Sequence, residues 1–472
     1  MTHRSASDAV APPTDRVPAR TIAGYAVGSL GTGGFGTLPG LVLVYFLTDN
    51  LGVTAIVAGL IVSLAKLWDV VIDPLIGSLS DRALARTGSR RGLMLVGALT
   101  LPVFFILTFA VPIEVGPTVG AIWVLVAFML TATSFSLFQV PYIALPAELT
   151  TRYDERTRLL TWRVVVLTAA ILLFGAGGPL LRGLSETPSQ GYLLMAVVAG
   201  LVIAAGLTPA SLAAPRRAER GEPQRVSLGT HYRLAILALR ESQPFRALLG
   251  TFVLQGLATG TMLAAAQYVA THVLCSEDAV TLLFLALIAP ALLFAPVWGR
   301  VARRTGKERG YLIASVLFAV AALAITGLVW APGAWVYLPV ALAGVAYAGM
   351  QALPLAMLPD VIAHDARASG TDRAGVFSGV WTAGETAGMA LGATVLTVIL
   401  SLTGYVESLG GQTVAQPASA VTGIVIAFSI VPAVLLGASI LLLRRYRLRR
   451  DDIETDARPA PPADVANEGP AA

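Results

Sequence analysis

Three ionisable residues interrupt one apolar stretch of the sequence: Lys66, Asp69 and Asp73, within Ala65–Pro74. Asp69 and Asp73 are four positions apart, so on a helix their carboxylates share one face. Two carboxylates held that close repel each other unless a cation lies between them, so the pair can bind a sodium ion or share a proton. Lys66 can substitute for this cation when the site is empty. The alternative is a structural Lys66–Asp69 ion pair, with Asp73 taking part in helix packing.

Other residues in apolar stretches carry weaker signals. Glu385 lies beside Gly384, and we expect it to be a cavity or gating charge because a charge within a bilayer is costly. Arg163 lies near the start of another stretch, where its position fits a cavity residue or one that reaches the membrane surface. A run of glycines fits either a deformable cavity-lining helix or close helix packing. These glycines are Gly28, Gly31, Gly33, Gly34, Gly36 and Gly40.

These charges must be positioned by membrane helices. The 472 residues are 56% hydrophobic and only 13% charged, and the mean hydropathy is +0.74. A helix that spans the hydrocarbon core needs about 20 apolar residues, and twelve such stretches predict an all-α membrane protein. The predicted spans are 23–48, 53–79, 92–113, 118–146, 159–182, 191–213, 246–272, 280–300, 310–330, 333–358, 374–402 and 419–443.

Arginine and lysine residues concentrate in alternate loops, with Arg182 as the exception. Because cytoplasmic loops carry this excess, we expect a multi-pass protein of the cell (inner) membrane with both termini in the cytoplasm. The positive loops include Arg16, Arg20, Arg82, Arg86, Arg90, Arg91, Arg152, Arg156, Arg158, Arg300, Arg303, Arg304, Lys307, Arg309, Arg367, Arg373 and the segment 444–450.

A weak repeat links the loops Gly77–Arg91 and Gly299–Lys307, which is typical of transporters built from two parallel six-helix halves. We predict a cytoplasmic tail at 1–22, a first half at 23–214, a cytoplasmic linker at 215–245, a second half at 246–444 and a disordered cytoplasmic tail at 445–472. The fold class is therefore a major facilitator-type bundle of twelve helices.

Several function classes are disfavoured. The single cysteine and the scattered histidines give no disulfide and no metal-binding spacing, and Gly306-Lys307-Glu308 is not a P-loop. The sequence also lacks a nucleophile–base constellation, and its linker and tail are too short for a signalling domain. The net charge of +5 is spread over helix ends rather than over one face that could bind nucleic acid. We therefore expect no enzyme, no metal site, no cofactor and no nucleic-acid partner.

Several motifs occur in order along the chain. They are Trp68–Arg82 with Thr87–Arg91, Tyr45–Gly52, Pro141–Thr150, Asp154–Thr157, Leu358–Asp360 and Gly370–Gly379. Together they resemble the glycoside-pentoside-hexuronide:cation symporters, the melibiose permease group within the major facilitator superfamily. The resemblance implies that Asp69 and Asp73 are cation-site aspartates and that Arg163 contacts the sugar. It also implies a conformational-switch loop with Gly77, Asp81, Arg82, Arg90 and Arg91.

Other positions depart from the pattern of the sugar-transporting members. Gly33 and Gln139 stand where those members have aspartates, Ile143 replaces an aromatic residue, and Thr386, beside Glu385, replaces a lysine. Glycine offers only its backbone and glutamine only a neutral amide, so tight galactoside recognition is not expected. The loss of one carboxylate also makes the cation site less negative, which favours protons over sodium.

The sequence predicts cation-coupled symport of a small organic solute, a sugar or glycoside by resemblance, through alternating access. The solute would bind in a cavity lined by Gly33, Gln139, Ile143, Arg163, Glu385 and Thr386, and the coupling ion would be Na+ or H+. We expect a monomer surrounded by membrane lipid. The alternative is export, or movement of an amphipathic or lipid-like solute, because the missing carboxylates leave the cavity more apolar.

Overall fold

The structure is a computed structural model that describes residues 16–150, 153–215, 239–276, 278–369, 374–412 and 414–448. Most of the predicted tails 1–22 and 445–472 and of the predicted linker 215–245 lie outside the described residues, as do Arg152 and Arg373.

Within the described part of the chain, twelve helices are long and apolar enough to cross a membrane, as the sequence predicts. They are α1 (Ala19–Tyr45), α2 (Ala55–Thr87), α3 (Arg91–Phe109), α4 (Gly116–Leu149), α5 (Tyr153–Arg182), α6 (Pro188–Ala213), α7 (Gln243–Tyr268), α8 (Ala279–Thr305), α9 (Lys307–Ile325), α10 (Tyr337–Ser369), α11 (Ala374–Leu402) and α12 (Ala418–Phe428 and, after a break at Ser429, Ile430–Leu443). Helix α2 is longer than its predicted span of 53–79, because it continues through polar turns to Thr87. It ends at Gly88, whose φ of +70° suits a glycine at a helix C-terminus.

The helices form two groups. In the first, α1 packs against α5 and α6, α3 packs against α4 and α6, and α2 packs against α4. In the second, α7 packs against α11 and α12, and α8 and α9 both pack against α10. The groups meet through three helix pairs, α2 with α11, α5 with α8, and α1 with α7. We call the end of the bundle where α1 begins and α12 finishes the terminal end, and the other the distal end.

Glycines set the closest helix approaches. A side-chain carbon at Gly392 of α11 would clash with the backbone of Gly260 on α7, and one at Gly260 would clash with the Met389 carbonyl. Small residues let helix backbones pack this closely in a membrane, where association depends on van der Waals contact. The same holds for α1, where a side-chain carbon at Gly28, Gly31 or Gly34 would meet side chains of α4, α5 or α6, whereas Gly36 has open space.

We predict that Gly392→Ala destabilises the protein because the backbone of α7 cannot move away from the added carbon. Overpacking of this kind costs about 1–3 kcal/mol, so the melting temperature of the purified protein should fall. Gly437→Ala on α12 is the matched control, because no atom lies within 4 Å of its added carbon. Its melting temperature should stay the same or rise, since alanine favours a helix over glycine. Equal melting temperatures for Gly392→Ala and wild type would contradict the proposed contact.

Candidate transport site

Asp69 and Asp73 lie in the middle of α2, and the structure leaves one oxygen of each without a partner. Lys66 Nζ is 3.2 Å from Asp69 Oδ2, so the ion pair predicted as one alternative is present. Oδ1 of Asp69 and Oδ1 of Asp73 are both buried and accept no hydrogen bond. Because a buried acceptor without a partner is costly, these two oxygens are suited to hold a ligand.

Helix α4 forms one wall of this site. The Trp68 indole donates a hydrogen bond to Thr133 Oγ1 (2.8 Å), and Gly77 lies against Val140, so α2 and α4 run in the same direction side by side. Ser136 of α4 lies beside Asp73. Gln139 follows about one turn later, and its side-chain oxygen is also buried without a partner. Near the aspartates, the α2–α4 pair therefore presents three buried acceptor oxygens without a partner among the described residues.

Arg163 of α5 is half-buried and packs within the first helix group. Its guanidinium carbon lies 5.4 Å from the centre of the Tyr142 ring, which is cation–π geometry. Tyr142 stacks on Tyr25 (4.7 Å between ring centres) and donates a hydrogen bond to the Tyr25 carbonyl. Arg163 Nε and the Tyr25 hydroxyl are buried without hydrogen-bond partners. This geometry corresponds to an interior position of Arg163 rather than to one that reaches the membrane surface.

Glu385 lies on α11, in the second group. Its side chain is exposed and lies beside Tyr347 of α10, whose hydroxyl accepts a hydrogen bond from Gln351 Nε2 (2.6 Å). One turn away, Trp381 stacks on Phe252 of α7 (4.4 Å between ring centres). The next residue, Thr386, is half-buried.

The contact of α2 with α11 gives the depth of Glu385. Ser63 and Thr394 form a 2.5 Å hydrogen bond across this antiparallel pair. Glu385 is nine positions below Thr394 toward the terminal end, and Asp69 and Asp73 are six and ten positions below Ser63. With the same rise per residue in both helices, Glu385 lies at the level between the two aspartates. The charged residues of the two groups therefore share one level of the bundle.

Gly33 and Ile143 differ in what they face. A side-chain carbon at Gly33 would lie 2.8 Å from Ala170 Cβ and 3.1 Å from the Leu167 carbonyl oxygen, both on α5. The prediction that Gly33 lines the cavity is therefore corrected, because its α-carbon is turned toward a neighbouring helix. Ile143 is 49% exposed and lies one turn beyond Gln139 on the same face of α4.

The predicted switch loop at the terminal end is organised by Arg90. Its guanidinium pairs with Asp81 (2.8 Å) and with Glu148 of α4 (2.5 Å), and it also donates to Ser80. Gly77 lies against α4, while Arg82 is exposed and Arg91 half-buried. The second group has a corresponding bond, from Lys307 at the start of α9 to Asp360 of α10 (2.5 Å). In each group, the loop that carries the faint sequence repeat is thus followed by an ion pair that joins the start of one helix, α3 or α9, to the next helix, α4 or α10.

At the distal end, a polar cluster that the sequence analysis missed joins the two groups. Asp49, which is 4% exposed, accepts a hydrogen bond from the Tyr405 hydroxyl (2.6 Å), and His272 Nε2 lies 2.8 Å from the same hydroxyl. Tyr268 contacts Thr48 at 2.6 Å. Burial and the neighbouring Asp49 carboxylate raise the pKa of Tyr405 well above its usual value, so its hydroxyl stays protonated and donates. We call Thr48, Asp49, Tyr268, His272 and Tyr405 the distal cluster.

The only sequence signal for the distal cluster was the motif Tyr45–Gly52, which contains Asp49. The partners of Asp49 come from the ends of α7 and α11, more than 200 residues away in the sequence. No local spacing connects them, so only the fold brings them together.

Comparison with known proteins identifies the family of the chain. The family model described as MFS/sugar transport protein matches residues 24–450. An uncharacterized symporter of Synechocystis is 25% identical, with 92% of this chain and 95% of that protein covered. The isoprimeverose transporter of Lactiplantibacillus pentosus is 24% identical, with 87% and 85% covered. The glucuronide carrier protein homolog of Escherichia coli K12 is 24% identical, with 82% and 85% covered.

Solved structures show the same fold at low sequence identity. A proton-dependent oligopeptide transporter aligns with a TM-score of 0.64 and 14% identity, over 91% of this chain and 99% of that one. A bacterial homolog of the lysosomal transporter Spinster aligns with a TM-score of 0.64 and 14% identity, over 90% and 96%. The major facilitator-type fold is therefore confirmed. The chain is a membrane transporter rather than an enzyme, and it belongs to the MFS/sugar transport family, the glycoside-pentoside-hexuronide:cation symporters.

Proposed function

We propose that this chain couples the movement of a cation, Na+ or H+, bound at Asp69 and Asp73, to that of a sugar or glycoside in the space between the two helix groups. One observation carries the proposal, namely that each aspartate has a buried oxygen without a partner beside the single positive charge of Lys66. Three charges with a net of −1 leave room for one more positive charge. No cofactor other than the coupling ion is needed.

Lys66 gives the coupling a mechanism. Its side chain is 31% exposed, and its ammonium holds Asp69 while no cation is bound. An arriving cation competes with it for the same carboxylate, and Lys66 moves aside toward the central space. Ion binding thereby changes the charge that faces the solute. Ion and solute then influence each other's affinity by the same factor, as linkage requires.

The solute would lie at the shared level of the charged residues. Gln139 and Arg163 offer an acceptor and donors to hydroxyl groups on one side, and Glu385 offers an acceptor on the other. Ile143 adds apolar surface at the wall. Since both groups contribute to one space, we propose that a monomer is the transporting unit.

Alternating access would use the two ends of the bundle in turn. The bonds between the groups described above lie toward the distal end, from the distal cluster to the Ser63–Thr394 contact. With both termini in the cytoplasm, as the loop charges predict, these bonds would close the outer side of the bundle. Opening to the outside requires the distal cluster to separate, while Arg90 and Lys307 brace the helices that move at the terminal end.

We predict that Asp69→Asn and Asp73→Asn each abolish accumulation against a gradient, because an amide does not hold the extra positive charge. In proteoliposomes, the ratio of internal to external solute should fall to about unity while downhill entry continues. The probe is isoprimeverose, a glucuronide or a methyl glucoside, whichever the wild type accumulates most. Glu114→Gln, at an exposed carboxylate, is the control and should accumulate normally. Full accumulation in both aspartate variants would disprove the coupling role.

Lys66→Met should strengthen cation binding, since it removes the competing charge. An attraction at this distance is worth about 1 kcal/mol in water and about 4 kcal/mol at an effective dielectric constant of about 20. The apparent affinity for Na+ or H+ should therefore rise about tenfold or more, while Lys66→Arg should stay close to wild type. The fluorescence of Trp68, two residues away, can report the titration. Weaker binding in Lys66→Met would show that Lys66 supports the cation rather than replacing it.

Tyr405→Phe should weaken closure of the distal end, because it removes the hydrogen bond to Asp49. Spin labels at Thr118→Cys and Trp330→Cys, in a Cys275→Ser background, report the distance between the groups at that end. The variant should gain a population at longer distance. Tyr337→Phe is the matched control. Tyr337 lies at the same end of the bundle, and no hydrogen bond of its hydroxyl is found among the described residues, so this variant should keep the wild-type distribution. An unchanged distribution in Tyr405→Phe would argue against a gating role.

A further inference from the structure

Glu385 carries a charge for which the described structure offers no counter-charge. Within the described residues, neither an ion pair nor a hydrogen bond is found for its carboxylate, although it lies at the level of the proposed coupling site. Of the other charges at this level, Lys66 pairs with Asp69 and Arg163 packs on Tyr142, while the free oxygen of Asp73 belongs to the proposed coupling site. An ionisable group at membrane depth is expensive and is typically functional.

Glu385 also faces away from the coupling site. Gly384 and Gly388 point at α7, where added side-chain carbons would meet Leu249 and Val253. At 100° per residue, Glu385 points about 40° away from Trp381, which packs on α7, and about opposite to Thr394, which contacts α2. Its neighbour Tyr347 is on α10. Glu385 therefore belongs to the wall of the second group rather than to a third ligand position beside Asp69 and Asp73.

The groups around Glu385 accept hydrogen bonds or present aromatic surface. Gln351 uses its amide nitrogen on the Tyr347 hydroxyl, so its carbonyl oxygen remains available as an acceptor. Tyr347 lies near enough to Glu385 for the carboxylate to interact electrostatically with its hydroxyl. Trp381, 3% exposed and stacked on Phe252, fixes the turn of α11 that precedes Glu385. A carboxylate, an amide oxygen and an aromatic face are the groups that hold an ammonium ion.

The opposite wall has the complementary character. Arg163 supplies donors, and Gln139 supplies one free acceptor, which suits hydroxyl groups of a sugar ring. A solute with a protonated amine at one end and hydroxyl groups at the other would satisfy both walls. A neutral sugar would leave Glu385 without a counter-charge.

We propose that the solute carried by this chain bears a protonated primary amine, as in an amino sugar or its glycoside, and that Glu385, with Tyr347 and Gln351, binds this amine. The inference rests on the proposed transport function and names the substrate class for the same central space. Glu385 would then set specificity for the solute and would not hold the coupling ion.

The test is thermal stabilisation of the purified full-length protein by sugars that differ only in the amine. The probes are glucosamine, galactosamine and mannosamine, each compared with its N-acetyl derivative and its parent hexose. A ligand that binds only the folded state raises the melting temperature. At least one amino sugar should bind at least tenfold more tightly than both of its neutral counterparts.

Glu385→Gln should reduce amino-sugar affinity at least tenfold and should reduce neutral-sugar affinity much less, because the amide keeps an acceptor oxygen for hydroxyl groups but loses the charge. Its melting temperature without ligand should match that of wild type, because the side chain is exposed and makes no described bond. Glu114→Gln is the matched control and should keep the preference for the amine. Glu385→Asp, which retains the charge, should retain most of it.

Equal binding of amino and neutral sugars, the same amine preference in Glu385→Gln, or no stabilisation by any amino sugar would each overturn the proposal. Failure here is distinguishable from failure of coupled transport. If neutral sugars accumulate and their accumulation depends on Asp69 and Asp73, the symport proposal stands and only the amine proposal fails. If amine binding depends on Glu385 but no cation drives accumulation, the amine proposal stands and the symport proposal fails.

Discussion

The attraction between Lys66 and Asp69, next to the unneutralised Asp73, is the interaction on which the rest of the account depends. In a bilayer, a charge is tolerated only with a partner, water or a ligand. One lysine for two aspartates leaves the site short of one positive charge, and the free oxygens of Asp69 and Asp73 are where we propose that this charge binds. A purely structural ion pair would not need the second carboxylate.

The fold serves this interaction by holding α2 between two different partners. On one side, Trp68 and Thr133 attach it to α4, so the acceptor of Gln139 follows the aspartates within one rigid group. On the other side, α2 touches α11 of the second group near Ser63, above the charged level. The aspartates therefore lie about two to three helical turns below this contact between the two groups. A change of charge at this point can act on a contact that opens and closes, which coupled transport requires.

Much of the fold and of the candidate site was predictable from the sequence. The rest was not predictable, and the reasons are physical. The length of apolar stretches determines the helices, and the spacing of Asp69 and Asp73 determines that they share a face. The direction of a glycine is not encoded in this way, and Gly33 proved to face α5. Bonds between distant segments, such as Arg90 with Glu148 and Tyr405 with Asp49, depend on how the helices are arranged in the bundle. The periodicity of apolar residues in the sequence does not predict that arrangement. The departure at Gln139 and the charge of Glu385 were visible as residue types, but only the structure shows that the side-chain oxygen of Gln139 is buried without a partner.

The most direct test of the central claim is to let the solute drive the cation. Proteoliposomes containing the purified protein are given an inward solute gradient without any ion gradient, and Na+ and H+ entry are measured with separate indicators. The account predicts that one of the two ions enters with the solute in a fixed ratio, and that Asp73→Asn removes the ion movement. Solute entry without movement of either ion, or with an ion moving in the opposite direction, would contradict it.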